Sequence, residues 1–150
     1  MQKRSGKIEK FLTKDEKAMV EQAIADSEKL TGAEIKVIIL RHCWVDIRDK
    51  ALQLFRKYEL DKTQERNCVL ILLVTSNREF IIYGDKGIYE QTPEDFWTHE
   101  RNIMGNYFSK DQFGEGLTEA VRNVGKKLAE LYPCRKDDTD EIGNDVCFEE

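Results

Sequence analysis

Hard oxygen ligands, rather than nucleophiles, mark the places in this chain where chemistry can gather. Glu34 opens one apolar segment, Asn67 immediately precedes a second, and Asp85 lies in the Gly84-Asp85-Lys86-Gly87 turn that follows a third. If the first two segments run parallel and the third runs back, all three residues reach the same edge of one sheet. Two carboxylates, an amide and the carbonyls of the 84–87 turn form a ligand set suited to Ca²⁺ or Mg²⁺. The competing reading is that Asp85 only hydrogen-bonds its own turn and Glu34 is a solvated strand-start residue. Asp138, Asp140 and Glu141, from an acidic run near the C-terminus, are candidates to complete such a shell. Asp138, Asp140, Gly143 and Glu149 also match four positions of an EF-hand loop. That match fails at Ile142 and Asp145, where an oxygen ligand and an apolar residue are usual, so a solvated acidic tail is the plainer interpretation. The opposite sheet edge would gather Arg41, His42, Ser76, Asn77 and Arg78, a polar set fit for an anion.

Covalent catalysis finds little support. There is no G-x-S-x-G, P-loop or G-x-G-x-x-G, and the only histidines are His42 and His99. Adjacency of His42 and Cys43 does not make a nucleophile and base pair, because geometry decides that. Cys43, Cys68, Cys134 and Cys147 are widely spaced with no C-x-x-C, which points to reduced thiols in a cytoplasmic protein rather than zinc or disulfides. Lys and Arg number 24 against 29 Asp and Glu, a net charge of −5 with no basic field for nucleic acid. No apolar run approaches the length of a membrane span, and residues 1–10 lack the apolar centre of a secretory signal. The expectation is a soluble, untargeted chain with no membrane or nucleic-acid partner.

Placing the three oxygens together requires residues 67–87 to form the middle of a sheet. Cys68 to Val74 is an unbroken apolar run bounded by Asn67 and Ser76-Asn77, hence a strand buried on both faces. The short Ser76-Asn77-Arg78 turn makes the next segment, through Tyr83, its antiparallel neighbour. Glu34 to Leu40 is a further strand, joined to the central one by a helix capped at Asp46, and a crossover of this kind leaves the two strands parallel. Thr13-Lys14-Asp15-Glu16 is a capping box for a first helix, with Gly32 as its left-handed stop. Thr92 followed by Pro93 starts a helix carrying Phe96, Trp97, Met104 and Phe108. Ser109-Lys110-Asp111-Gln112 reads as a second capping box, opening a long helix in which Gly114, Gly116 and Gly125 permit close approach. Val146 to Phe148 is at most a short edge strand. These elements predict an α/β fold: a three-layer α/β/α sandwich with a small mixed sheet of three to four strands. The predicted division is an N-terminal segment (1–12), a single domain (13–133) and an acidic tail packed on it (134–150).

Several of these stretches carry a family resemblance: Thr31-Gly32-Ala33-Glu34-Ile35, Arg66-Asn67-Cys68-Val69-Leu70-Ile71, Tyr83 to Ile88, Phe96-Trp97 and Phe113 to Leu117. The chain resembles the TPM domain family, which includes thylakoid-lumen acid phosphatase-like and photosystem II repair proteins, and is most similar to a short, anchorless bacterial subgroup. The resemblance spans Phe11 to Phe148 and implies an α/β/α sandwich. It also implies binding of Ca²⁺ or another divalent ion, with phosphatase activity attributed to a plant member. The subgroup's acidic tail pattern falls on Asp137-Asp138, Asp140-Glu141 and Asn144-Asp145, while Cys68 stands where the family usually has glycine. The function expected is a divalent-cation-binding domain of regulatory or assembly type, with no assured catalysis. Two alternatives stand beside it: a metal-dependent phosphatase acting on phosphomonoesters, and a protein–protein adaptor using the aromatic-rich helix from Phe96 to Phe108.

Overall fold

Strand β2 (Cys68–Val74) is buried along its whole length between β1 (Glu34–Leu40) and β3 (Glu79–Gly84), as its unbroken apolar sequence requires. The computed structural model describes residues 7–63, 66–134 and 145–149. β1 runs parallel to β2, from Glu34 opposite Cys68 to Leu40 opposite Val74, and β3 returns antiparallel on the other side. The short β4 (Cys147–Glu149) adds parallel to β1 at Ile38, giving the order β3-β2-β1-β4. The hairpin between β2 and β3 turns through Arg78 in the left-handed region, with Asn77 accepting the Glu79 N–H.

Alternate side chains of the sheet enter two cores, as the period of two dictates. Ile35, Val37, Ile39, Val69, Ile71 and Leu73 face a layer built from α1 (Lys14–Glu28), α4 (Glu94–Ser109) and α5 (Phe113–Leu131). Ile38, Leu40, Leu70, Leu72 and Val74 face α2 (Ile47–Lys57) on the other side. The α/β/α sandwich is therefore lopsided, with the three long helices α1, α4 and α5 on one face of the sheet and α2 on the other. Among the described residues, no helix is long and apolar enough to cross a membrane.

Local signals explain several helix starts. Thr13 and Glu16 form the reciprocal capping box at α1, and Asp46 accepts the Arg48 N–H at α2. Glu16 does a second job: its other carboxylate oxygen accepts the Gly114 N–H at the start of α5, 3.2 Å away. A Cβ on Gly114 would stand 2.6 Å from Glu16, and one on Gly125 would stand 2.6 Å from the Cβ of Ser27. These glycines let α5 lie directly on α1.

Four expectations are corrected. Gly32 is not a left-handed stop; no glycine among the described residues has positive φ, and the Gly32 N–H instead donates to Tyr132 O at 2.8 Å. Thr92 does not cap α4: Pro93 occupies the cap position, and the Thr92 hydroxyl donates back to Ile88 O. Ser109 to Gln112 form no capping box, since Ser109 ends α4 and its hydroxyl bonds Asn106 O, leaving the α5 start to Glu16. Finally, residues 84–87 are not an open loop. Asp85 caps a four-residue helical turn, α3 (Lys86–Tyr89). The carbonyls of Asp85, Lys86 and Gly87 accept from Ile88 and Tyr89, from Glu90 and from the Gln91 side chain, so that of the four only Gly84 keeps a free carbonyl among the described residues.

Candidate functional site

Strand direction brings Glu34, Asn67 and Asp85 to one edge of the sheet. All three are nearly inaccessible, at 2%, 2% and 4% exposure. Backbone bonds tie them together: the Glu34 N–H donates to Asn67 O at 3.4 Å, and the Asp85 N–H donates to Cys68 O at 2.9 Å. Glu28, the last residue of α1, joins them by accepting the Ile35 N–H at 3.3 Å. Burial pushes the Cys68 thiol well above its ordinary pKa, and the neighbouring carboxylates of Glu34, Asp85 and Glu28 push it further. One buried thiol thus feels the field of three acids.

Asp85 is already engaged. Arg66 grips its carboxylate with two hydrogen bonds of 2.8 and 2.9 Å, and the Lys86 N–H takes one of the same oxygens at 2.8 Å. This fork raises the Arg66 pKa further, chiefly through the hydrogen bond and then through the charge of Asp85. Arg66 holds this position with φ of 51°, a left-handed backbone that an arginine adopts only when its surroundings impose it.

The start of the acidic tail lies beside this edge. Pro133 bridges Thr31, the Thr31 hydroxyl bonds Leu128 O at 3.0 Å, and the Cys134 N–H donates to Leu30 O. Asp138, Asp140 and Glu141 lie outside the described residues. So does most of the EF-hand-like stretch, although Glu149 is described and binds Lys57 and the Tyr58 hydroxyl. Among the described residues, no three His, Cys, Asp or Glu side chains are gathered closely enough to hold a metal ion. Glu34 and Asp85 thus have no third acid, thiol or imidazole gathered that closely with them among the described residues. The opposite edge remains polar, with Ser76 donating to Arg41 O and His42 stacked on Trp44.

Two features escaped the sequence reading. Glu28 carried a readable signal, since an acid in the last turn of a helix opposes the macrodipole and needs another purpose. A cleft of ≈ 440 Å³ beside β3 carried none, because its walls come from α2, α3 and α4. The aromatic positions of α4 are packed inward: Trp97, Met104 and Phe108 are buried, and Phe96 and Phe80 lean on the same core.

The chain matches the family model of the TPM domain over residues 7–127. Its structure is similar to that of protein BA42 from the psychrophilic bacterium Bizionia argentinensis, at 37% identity and a TM-score of 0.89. That likeness covers 96% of this chain and 99% of BA42. The fold alone is shared with the N-terminal domain of a P. gingivalis protein, at 19% identity and a TM-score of 0.66 over 83% of this chain and 82% of that one. It is shared likewise with the N-terminal domain of cg2496 from Corynebacterium glutamicum, at 16% and 0.59 over 90% and 79%. Among curated proteins, none matches the chain.

Proposed function

The chain belongs to the TPM domain family, and from that premise we propose that it is a divalent-cation-binding domain of regulatory or assembly type. The observation that carries this reading is the clamp between Thr31 and Pro133, which starts the acidic tail three residues from Glu34. Glu34 and Asn67 supply oxygens at the sheet edge, and Asp138, Asp140 and Glu141 supply the remainder of the shell. Ca²⁺ takes six to eight oxygens in loose geometry, so waters fill what the side chains leave. Asp85 joins only by releasing Arg66, and Mg²⁺, which demands stricter geometry, is the weaker ligand here. Crowded buried carboxylates repel one another, and a cation relieves that repulsion. Binding to the folded chain alone then raises its melting temperature with cation concentration.

The test is a titration with Ca²⁺ and Mg²⁺ followed by backbone amide shifts. Saturable shifts at residues 34–35, 67–68 and 137–141, weakened at least tenfold by joint Asp138→Asn, Asp140→Asn and Glu141→Gln, support the reading. Shifts confined to residues 41–42 and 76–78 overturn it. Turnover of a phosphomonoester, abolished by chelation, would favour the phosphatase reading instead.

A further inference from the structure

β3 is an edge strand, and the cleft beside it touches both sides of the sheet. Arg48, Leu52 and Arg56 come from α2 on one face, while Lys86, Trp97 and Arg101 come from α3 and α4 on the other. A cavity lined from both faces and by Ile81 to Gly84 must run along the open flank of β3. The Asp85 backbone N–H donates to Cys68 O, so the antiparallel alternation directs the backbone polar groups of Tyr83 and Ile81 toward β2. Those of Gly84, Ile82 and Phe80 point outward, and no described residue hydrogen-bonds them.

The walls of this cleft are basic. Five cations line it against three acids, in a chain whose net charge is −5. Asp85 is held by Arg66 and Glu94 by Arg101, whereas Arg48, Arg56 and Lys86 form no ion pair with a described residue. Apolar surface is exposed there too: Leu52 and Tyr89, two of the five exposed large hydrophobic residues among those described, stand on the cleft. Trp97 also lines it, and its buried indole N–H has no acceptor among the described residues.

We propose that the open edge of β3 is a docking site for an extended acidic segment of a partner protein, which adds there as a further strand. Main-chain bonds to Phe80, Ile82 and Gly84 would hold about five residues of it, roughly 17 Å of strand. Its side chains alternate between the two walls, with carboxylates meeting Arg48 and Arg56 on one side and Lys86 on the other, and aliphatic groups covering Leu52 and Tyr89. A second copy of this chain is a poor occupant, because its own β3 would bring the same cations against these. The described end of this chain's own tail is committed elsewhere, as β4 on β1. This inference is independent of cation binding at the neighbouring edge.

The experiment is selection of a random library of linear octapeptides on the folded chain, followed by amide hydrogen exchange with the strongest peptide. Enrichment of Asp and Glu with β-branched residues is expected, with slowed exchange at Phe80, Ile82 and Gly84 and no change at Ile81 and Tyr83. Arg48→Glu with Arg56→Glu, both exposed on α2, should weaken binding at least tenfold and leave the melting temperature unchanged. Failure to enrich acidic peptides, or protection that falls elsewhere, overturns the proposal. So does uniform rather than alternate protection along β3. Amide shifts at these residues with inorganic phosphate or a nucleoside monophosphate, without any peptide selected, would mark a small-anion pocket and overturn it equally.

Discussion

At one side of the sheet the chain covers Ile38–Leu40 of β1 with its own β4, whereas at the other the six residues of β3 have no strand on their outer flank among the described residues. The covered edge is fastened by several unlike contacts: Val146 is buried in the core, its N–H donates to Glu21, and the Arg41 backbone N–H donates to Glu149 O. The open edge has basic walls instead. Covering an edge removes its pairing groups, whereas charging its surroundings leaves those groups available and selects by sign what approaches. The first edge is shortened to the three residues of β4, and the second stays long but disfavours basic strands.

The largest effect should come from ending the chain at residue 144. That removes β4, exposes the β1 flank and loses the burial of Val146, lowering stability by about 3 kcal/mol in urea unfolding. Light scattering should also show concentration-dependent association through the newly opened edge, while a monomer of unchanged stability would show that β4 closes nothing. Next is Asp85→Ala, at the end of β3. Loss of the α3 cap and the Arg66 fork should cost about 2 kcal/mol, discounted because the Arg66 side chain is 48% exposed, and Asp85→Asn should cost about half as much.

Glu149 gives a smaller and pH-dependent effect. Burial raises its pKa, but the Lys57 and Tyr58 contacts outweigh burial and leave it below the ordinary 4.5. A depressed carboxylate stabilises the fold above its unfolded pKa, and that stability is lost as pH falls through the folded value. Glu149→Gln should therefore cost about 0.5–1 kcal/mol at neutral pH and nothing once the pH lies below both values. Denaturation curves for both chains that stay separate in acid would rule this out. Smallest is Arg48→Glu with Arg56→Glu, which should move stability by no more than about 0.5 kcal/mol, in contrast to its effect on docking.

The strands and the first helix were readable because their signals are local: an unbroken apolar run for β2, a three-residue turn before β3, and a capping box at Thr13 for α1. Strand direction alone then put Glu34, Asn67 and Asp85 at a common edge. What the sequence hid is decided by partners far along the chain. Gly32 is fixed by Tyr132, and the start of α5 is capped by Glu16 rather than by the adjacent Ser109. Asp85 looked like a free ligand because its partner Arg66 sits in a segment with no pattern of its own. The β3 cleft was illegible for the same reason, since Arg48, Lys86 and Arg101 become neighbours only after the helices dock.

The parallel placement of β4 on β1 also sets an order of events during synthesis. Roughly a hundred residues separate the two strands, and at about 5–20 residues per second a ribosome needs on the order of 5–20 s to cross that gap. Once β3 has followed β2 out of the ribosome, within that interval, the three strands can pair while the flank of β1 awaits a strand not yet translated. The nascent chain therefore passes through a stage in which both flanks of the three-stranded sheet are open, until β4 covers the Ile38–Leu40 part of one of them.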